Sequence, residues 1–339
     1  MFLRPAKKSD HDAVLNLAKQ AGFGMTSLPP DVEVLAEKIA KSEEAFAAQP
    51  DENKEHGFFF VLEDPEKEGH IAGTCGIKSR IGLSQPFYSY KLTTITQASQ
   101  QLDIFSKHVM LQVTNDLTGC SEIGALFLQP EYRRDRIGKL LSLSRFMFIA
   151  ANKQYIADQV IAEMRGVHDK DGNAPFYESL AEHFFQMPFA KADYINATQG
   201  NQFINDLMPK YPIYLSLLPK DAQAVVGEPN PASEPAKVML ERQGFKQSGY
   251  VDIFDGGPTM IVDRDHIKAI KQSRLVVIED MQEMSENDDR MIVSNDKFAD
   301  FRSSMGRIRD LGDDKVVIST RLQSRLGVNP GDTVRILPI

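Results

Sequence analysis

Cysteine is nearly absent from this sequence: Cys75 and Cys120 are the two among 339 residues. Two thiols cannot build a disulfide framework in so long a chain, and no CxxC or Cys/His spacing suggests zinc. The chain therefore fits a reducing compartment, and metal dependence is not expected. A basic excess is also absent, since 39 Lys plus Arg stand against 47 Asp plus Glu and leave a formal charge of −8. That balance disfavours a chain-wide grip on nucleic acid or anionic lipid. Long apolar runs are missing: the most apolar stretch, near residues 137–151, is interrupted by Lys139 and Arg145, so no membrane span is expected. Residues 1–14 break their few apolar positions with Arg4, Lys7, Lys8 and Asp10, which is unlike a secretory signal. The expected location is the cytoplasm.

What the chain does contain is the balance of a soluble enzyme, 42% hydrophobic and 25% charged, in a length that suits about two domains. Its periodicity predicts a strand at Phe2–Arg4, a helix running to Gly22, and a second helix from Pro29-Pro30-Asp31 to about Ser42. Strands are expected at 57–63, 70–78, 121–129 and 159–164, with further strands between Gly244 and about Asp263. Helices are expected at 137–152, from Asn173 to about Phe185, at 235–243 and at 264–275. Residues 83–119 carry β-prone pieces and turn chemistry without a clear placement. Six acidic residues between Glu279 and Arg290 read as a solvated loop or linker. Strands at 316–320 and 333–337, a short helix at 322–326 and an Asn-Pro-Gly-Asp turn at 329–332 close the chain.

Chemistry concentrates where the strand Leu126-Phe127-Leu128 meets the basic turn Arg133-Arg134-Asp135-Arg136 and the helix that follows. Unpaired amides at a helix start point outward with the positive end of the helix dipole, so this arrangement suits a pyrophosphate. Gly138 would let the phosphate approach, with Lys139 adding charge. On its own a basic helix start is equally a solvated turn before a buried helix.

Arg133-x-x-Arg136-x-Gly138 resembles the acyl-CoA-binding motif of the GNAT acyltransferase superfamily, except that Arg136 stands where that motif has its first Gly. The segments Thr26-Ser27-Leu28-Pro29, Pro86-Phe87-Tyr88-Ser89-Tyr90, Asn115-Asp116-Leu117-Thr118-Gly119, Ala162-Glu163-Met164-Arg165-Gly166 and Asp252-Ile253-Phe254-Asp255-Gly256-Gly257-Pro258-Thr259 resemble, in the same order, the arginine N-succinyltransferase family. That resemblance implies an α+β fold with a GNAT-type, mainly antiparallel sheet flanked by helices. Together with the acidic linker or loop read at 276–290, it divides the chain into an acyltransferase domain at 1–275 with an insertion around 186–230 and a small barrel-like β module at 291–339. The activity it implies is transfer of a succinyl group from succinyl-CoA, a cosubstrate, to the α-amine of L-arginine. Some members accept ornithine. A homo-oligomer, or a complex with a paralogous chain, is a further expectation.

Amine attack on a thioester needs a base, a stabilised oxyanion and a departing thiolate. In GNAT enzymes the strand before the pyrophosphate turn splays from its neighbour and frees backbone groups; here that strand holds Leu126 and Leu128, and Leu126 matches a position that the family assigns to succinyl-CoA. The same leucine side chains also suit a core. Glu122 and Glu163 are candidate bases, or structural carboxylates. Asp252 and Asp255 suit a guanidinium, or cap a turn. Arg165 or Ser27 would meet the succinyl carboxylate. The family's proposed proton donor is a His before a Pro, where this chain has Asn230, whose amide orients but does not titrate. Either the thiolate needs no acid, or Tyr250, His168 or Glu228 substitutes, or the activity has changed. The tail from Lys315 resembles swapped-hairpin transcription regulators, which leaves a DNA-binding regulator as the non-enzyme alternative.

Overall fold

A computed structural model describes residues 1–22, 24–48 and 50–339. The first half runs β1 (Phe2–Pro5), α1 (His11–Ala21), α2 (Val32–Ala47), β2 (Gly57–Asp64), β3 (His70–Lys78), β4 (Ser89–Ser99), β5 (Ile104–Thr114), β6 (Ser121–Leu128), α3 (Ile137–Ala151) and β7 (Gln159–Glu163). A mainly helical segment follows, with α4 (Pro175–Ser179), α5 (Ala181–Phe185), α6 (Phe189–Thr198), α7 (Gln202–Leu207), β8 (Ile213–Tyr214) and α8 (Lys220–Val225). The chain then forms α9 (Glu234–Arg242), β9 (Lys246–Asp252), β10 (Pro258–Asp263) and α10 (Lys268–Gln272). It ends with β11 (Arg274–Met281), β12 (Asp289–Asn295), β13 (Ser303–Gly312), β14 (Lys315–Ile318), α11 (Thr320–Leu326) and β15 (Thr333–Pro338). The architecture is α+β, as the resemblance implied.

The central strands lie in the order β1-β2-β3-β6-β7-β10-β9-β4-β5-β8, antiparallel except where β6 meets β7. The α3 face is the drier one: Phe146, Met147, Phe148 and Ile149 are all fully buried. At roughly 1.5–3 kcal/mol per large apolar side chain, this helix is a principal anchor of the sheet. Phe46, Phe58, Phe60, Phe148, Phe298 and Phe301 pack edge-on or tilted around it. The opposite face is covered at one end by α1 and the first turns of α2, through Leu35 and Ile39, and at the other by the helices between β7 and α9, where a further apolar core gathers Tyr90, Phe176, Tyr177, Phe185 and Phe254.

Several boundaries differ from the sequence reading. Residues 276–290 are not a free linker: β11 runs through Met281 and β12 begins at Asp289. In β11 Val276 and Ile278 are buried while Leu275, Val277 and Glu279 face out, so the acidic run hid an alternating strand. The predicted helix at 264–275 shrinks to α10 for the same reason. The predicted 173–185 helix breaks at Leu180 into α4 and α5, and these two short helices open the helical segment that runs on through the residues expected as an insertion. The unplaced residues 83–119 hold the long β4–β5 hairpin. In the C-terminal module β12, β15, β11, β14 and β13 follow one another, and a β12–β13 pairing closes them into a barrel. The module that resembled half of a swapped pair thus completes its own sheet, around a core that includes Ile278, Val293, Ile308, Leu322 and Val334.

Candidate active site

Strands β6 and β7 pair only through Ser121↔Val160 and Glu122↔Ile161. Beyond Glu122 they diverge, so among the described residues the β7-facing backbone of β6 has no strand partner from Ile123 to Leu128, the stretch that holds Leu126 and Leu128. The cause is local. The β3–β6 register slips between Thr74 and Gly76, and Ala125 adopts φ +49°, a left-handed conformation that costs an L-residue about 1–2 kcal/mol. Side chains hold the bulge in place: the Ala125 amide donates to Ser27 Oγ at 3.0 Å, and Thr74 Oγ1 donates to the Ala125 carbonyl at 2.9 Å. As side chains Leu126 and Leu128 pack on the α3 core.

At the end of β6 the basic turn enters α3. Asp135 and Arg136 both have positive φ, +51° and +65°, which explains why a related motif places Gly at the second position. Arg136 accepts the strain and turns its guanidinium away, to the Ile339 carbonyl at 3.2 Å. Arg133 Nε donates to the Leu128 carbonyl at 3.0 Å, and Arg134 lies 3.9 Å from Asp135 in an exposed pair. A Cβ at Gly138 would meet only Leu128, at 3.9 Å. Among the described residues the Gly138 and Lys139 amides have no protein acceptor, so the helix start presents free donors.

Below the splay, on the face away from α3, charged groups converge. Glu122 is buried and pairs with Lys78 at 3.0 Å; β3–β6 register sets these two side by side. Burial, then Asp252 and Glu122, raise the Glu163 carboxyl well above its ordinary range, and among the described residues its Oε1 has no hydrogen-bond partner. Asp252 is raised by burial and by Asp255. One Asp252 oxygen caps the turn, accepting from the Phe254 and Asp255 amides at 2.7 and 2.8 Å. Asp255 accepts from the Gly166 and Gly257 amides at 2.7 and 2.9 Å, which ties the turn to the extension of β7.

The remaining predicted residues divide between this cleft and the surface. Asn230 lies beside Arg165: its backbone N–H donates to the Arg165 carbonyl at 2.7 Å, its side-chain Oδ1 accepts from the Ala232 amide at 3.0 Å, and Arg165 Nη2 stands 3.5 Å from that oxygen. Arg165 also reaches the Ala21 carbonyl at 3.3 Å. Tyr250 is held at the surface, its hydroxyl donating to Asp116 at 2.9 Å and its ring under Lys91. His168 is buried against Phe189, with Nδ1 3.0 Å from the Gly166 carbonyl and Nε2 3.8 Å from Asp255.

Besides Lys78, two more residues that the sequence did not single out belong to the same region. Lys38, on α2, donates to the Ser27 carbonyl at 2.5 Å, and among the described residues no carboxylate lies within ion-pair distance of it. Burial and the nearby Lys78 lower its ammonium to about 8. Asp193, on α6, accepts from Thr26 Oγ1 at 2.5 Å, and burial raises it to about 6. Both are brought in by tertiary folding from segments without a local motif. No cluster of three His, Cys, Asp or Glu with metal-holding geometry occurs among the described residues, and no helix among them is long and apolar enough to cross a membrane.

Comparison with known proteins supplies a family. Residues 1–269 match the model described as arginine N-succinyltransferase beta subunit, and residues 274–338 match that of its C-terminal domain. A curated arginine N-succinyltransferase from Citrobacter koseri is 40% identical over 337 residues, covering 99% of this chain and 97% of the relative, and one from Escherichia coli is 39% identical over the same extent. The solved structure of arginine/ornithine succinyltransferase subunit AI from Pseudomonas aeruginosa superposes with a TM-score of 0.90 at 34% identity, covering 99% of this chain and 98% of that one.

Proposed function

The chain belongs to the arginine N-succinyltransferase family, and from that premise we propose that its cleft transfers the succinyl group of succinyl-CoA directly to the α-amine of L-arginine. The observation that carries the reading is the convergence of Glu122, Glu163, Asp252 and Asp193 at the β6–β7 splay. Burial first, and then repulsion among neighbouring carboxylates, push Glu163, Asp252 and Asp193 above their ordinary range. Arginine brings an ammonium and a guanidinium, and its entry relieves that repulsion.

The donor belongs on the other side of the splay. The unpaired edge of β6 offers main-chain groups to the pantetheine amides, and the free α3 amides with Arg133 and Lys139 meet the pyrophosphate. Glu163 then takes a proton from the arginine ammonium, directly or through one water, as its raised affinity for protons suits. The amine attacks the thioester carbon and the C–N bond forms, the C–S bond breaks with the electron pair leaving on CoA sulfur, and the second proton lost by the attacking nitrogen passes to the departing thiolate or to solvent. Asn230 positions Arg165 in this scheme, and the thiolate departs without a titrating acid at position 230. Lys38, an ammonium without a carboxylate, meets the distal carboxylate of the succinyl group.

Thiol release from succinyl-CoA, assayed with arginine, ornithine and a panel of other amines, tests the reading. Turnover with arginine, and smaller gain than twofold from Asn230→His, is expected. No turnover with any amine overturns it, and turnover confined to ornithine or another amine replaces the acceptor.

A further inference from the structure

The C-terminal barrel meets the acyltransferase core at a cavity of about 420 Å³ that begins where the basic turn enters α3. Arg134 and Ile137 line it from the core, and Arg290, Arg321 and Arg325 line it from the barrel. Four guanidinium groups in one cavity of a chain with net charge −8 need an account.

Their carboxylate partners are few. Arg321 and Arg325 both lean on a single oxygen of Glu66, with Arg325 at 2.8 Å. Arg325 has only 14% of its side chain exposed, and burial together with Arg321 lowers its hold on its proton. Arg290 donates to the Asp135 carbonyl at 3.1 Å and to the Met305 sulfur at 3.0 Å, and among the described residues it pairs with no carboxylate. Asp64 is already engaged, by Tyr132 Oη at 3.3 Å and the Glu66 amide at 3.2 Å. Asp135 stands 3.9 Å from Arg134, so three lining carboxylates, Asp64, Glu66 and Asp135, face four guanidinium groups, and the cavity keeps a surplus of cationic donors.

We propose that the barrel supplies Arg290, Arg321 and Arg325 to a site for the phosphorylated ribose of the CoA donor. The inference rests on the reading of succinyl-CoA as donor. Its chemistry follows from the placement: the cavity shares Arg134, Asp135 and Ile137 with the turn proposed to take the pyrophosphate, and a 3′-phosphate stands one ribose away from the pyrophosphate in CoA. A phosphate monoester offers several acceptor oxygens to forked guanidinium donors, and can draw Arg321 from its shared bond with Glu66. The barrel then becomes part of the donor site instead of a separate appendage.

The test compares succinyl-CoA with succinyl-3′-dephospho-CoA in steady-state kinetics, beside calorimetric titration of CoA, 3′-dephospho-CoA and inorganic phosphate on the full chain. The native enzyme is expected to prefer the phosphorylated donor by about tenfold or more in KM, with the preference shrinking as salt is raised. Replacing both Arg321 and Arg325 by Ala should raise the KM for succinyl-CoA towards that for the dephospho donor, while the KM for arginine moves far less. Glu66→Gln removes the competing carboxylate and should lower the succinyl-CoA KM, the opposite of what a loosened barrel would do. Equal KM values for the two donors in the native enzyme overturn the site while leaving the donor reading intact. Binding of inorganic phosphate without any preference between the donors also overturns it, as a free-anion site. Failure of both CoA forms to bind overturns the donor reading itself.

Discussion

Asp255 and Gly166 are fitted to one another: the Gly166 amide donates to Asp255 Oδ2 at 2.7 Å, and a Cβ placed on Gly166 would stand 2.5 Å from the Asp255 carbonyl oxygen. The turn after β9 is thereby pinned against the chain that leaves β7, which holds Asp252 where its charge bears on Glu163. Gly166→Ala should destabilise the fold by about 1–3 kcal/mol, the usual cost of overpacking. Asp255→Ala, which leaves two buried amides without their acceptor, should cost about 2–4 kcal/mol. Urea unfolding measures both, and an unchanged midpoint for either variant would sink the pinning argument.

Glu163→Gln keeps the shape of the side chain and removes its proton affinity. If Glu163 is the base, kcat for succinyl transfer should fall by roughly 10²- to 10⁴-fold, with the KM for succinyl-CoA little changed. The acid limb of the kcat profile should vanish with it. A variant that retains the native acid limb at reduced rate would assign the base elsewhere, and Glu122 would be the next residue to replace.

How much of this was legible beforehand depends on whether the cause was local. The β6 strand, the basic turn and α3 were readable because an apolar run, a cluster of Arg and a buried helix follow one another without interruption. Even the odd residue in the turn, Arg136, marked a real feature, the left-handed backbone at φ +65°. The β4–β5 hairpin was not readable, because Thr93, Thr94, Thr96 and Gln97 give it a polar surface that carries no strong alternation. Lys38, Lys78 and Asp193 were missed for a different reason: each acquires meaning only from what folding sets beside it. Lys78 could have been found by extending the β3–β6 register by one pair, to Glu122; for Asp193 no such signal exists in the sequence.

Asp193 makes stability and binding depend on pH in a fixed direction. Its folded value of about 6 lies above the ordinary 3.8, so between those values the folded chain binds more protons than the unfolded one. Stability therefore falls as pH rises through that window and levels off above about 6. Asp193→Asn, which keeps an acceptor for Thr26, should raise the melting temperature at pH 7.5, with the gain shrinking towards pH 4. L-arginine should release protons when it binds near pH 6, because its cations favour the ionised carboxylates. Titration in buffers of different ionisation enthalpy measures that release, and proton uptake would contradict the acidic-cleft reading.

Lys38 brings the donor's acyl chain under the same kind of test. Its ammonium, lowered to about 8 by burial and Lys78, is protonated below that pH and loses its charge above it. A succinyl carboxylate bound to Lys38 would hold the proton in place, so donor binding and protonation favour each other. The KM for succinyl-CoA should accordingly rise as pH passes 8, whereas the KM for acetyl-CoA, which has no distal carboxylate, should stay flat there. Lys38→Met preserves the packing of the stem over Phe59, where Nζ lies 5.1 Å from the ring centre. It should cut kcat/KM for succinyl-CoA by about 10- to 100-fold, the loss of one charge-assisted contact, and change that for acetyl-CoA much less. Equal losses with the two donors would show that Lys38 supports the Ser27 loop and the Ala125 bulge, and would return the succinyl carboxylate to Arg165 as the next cation to test.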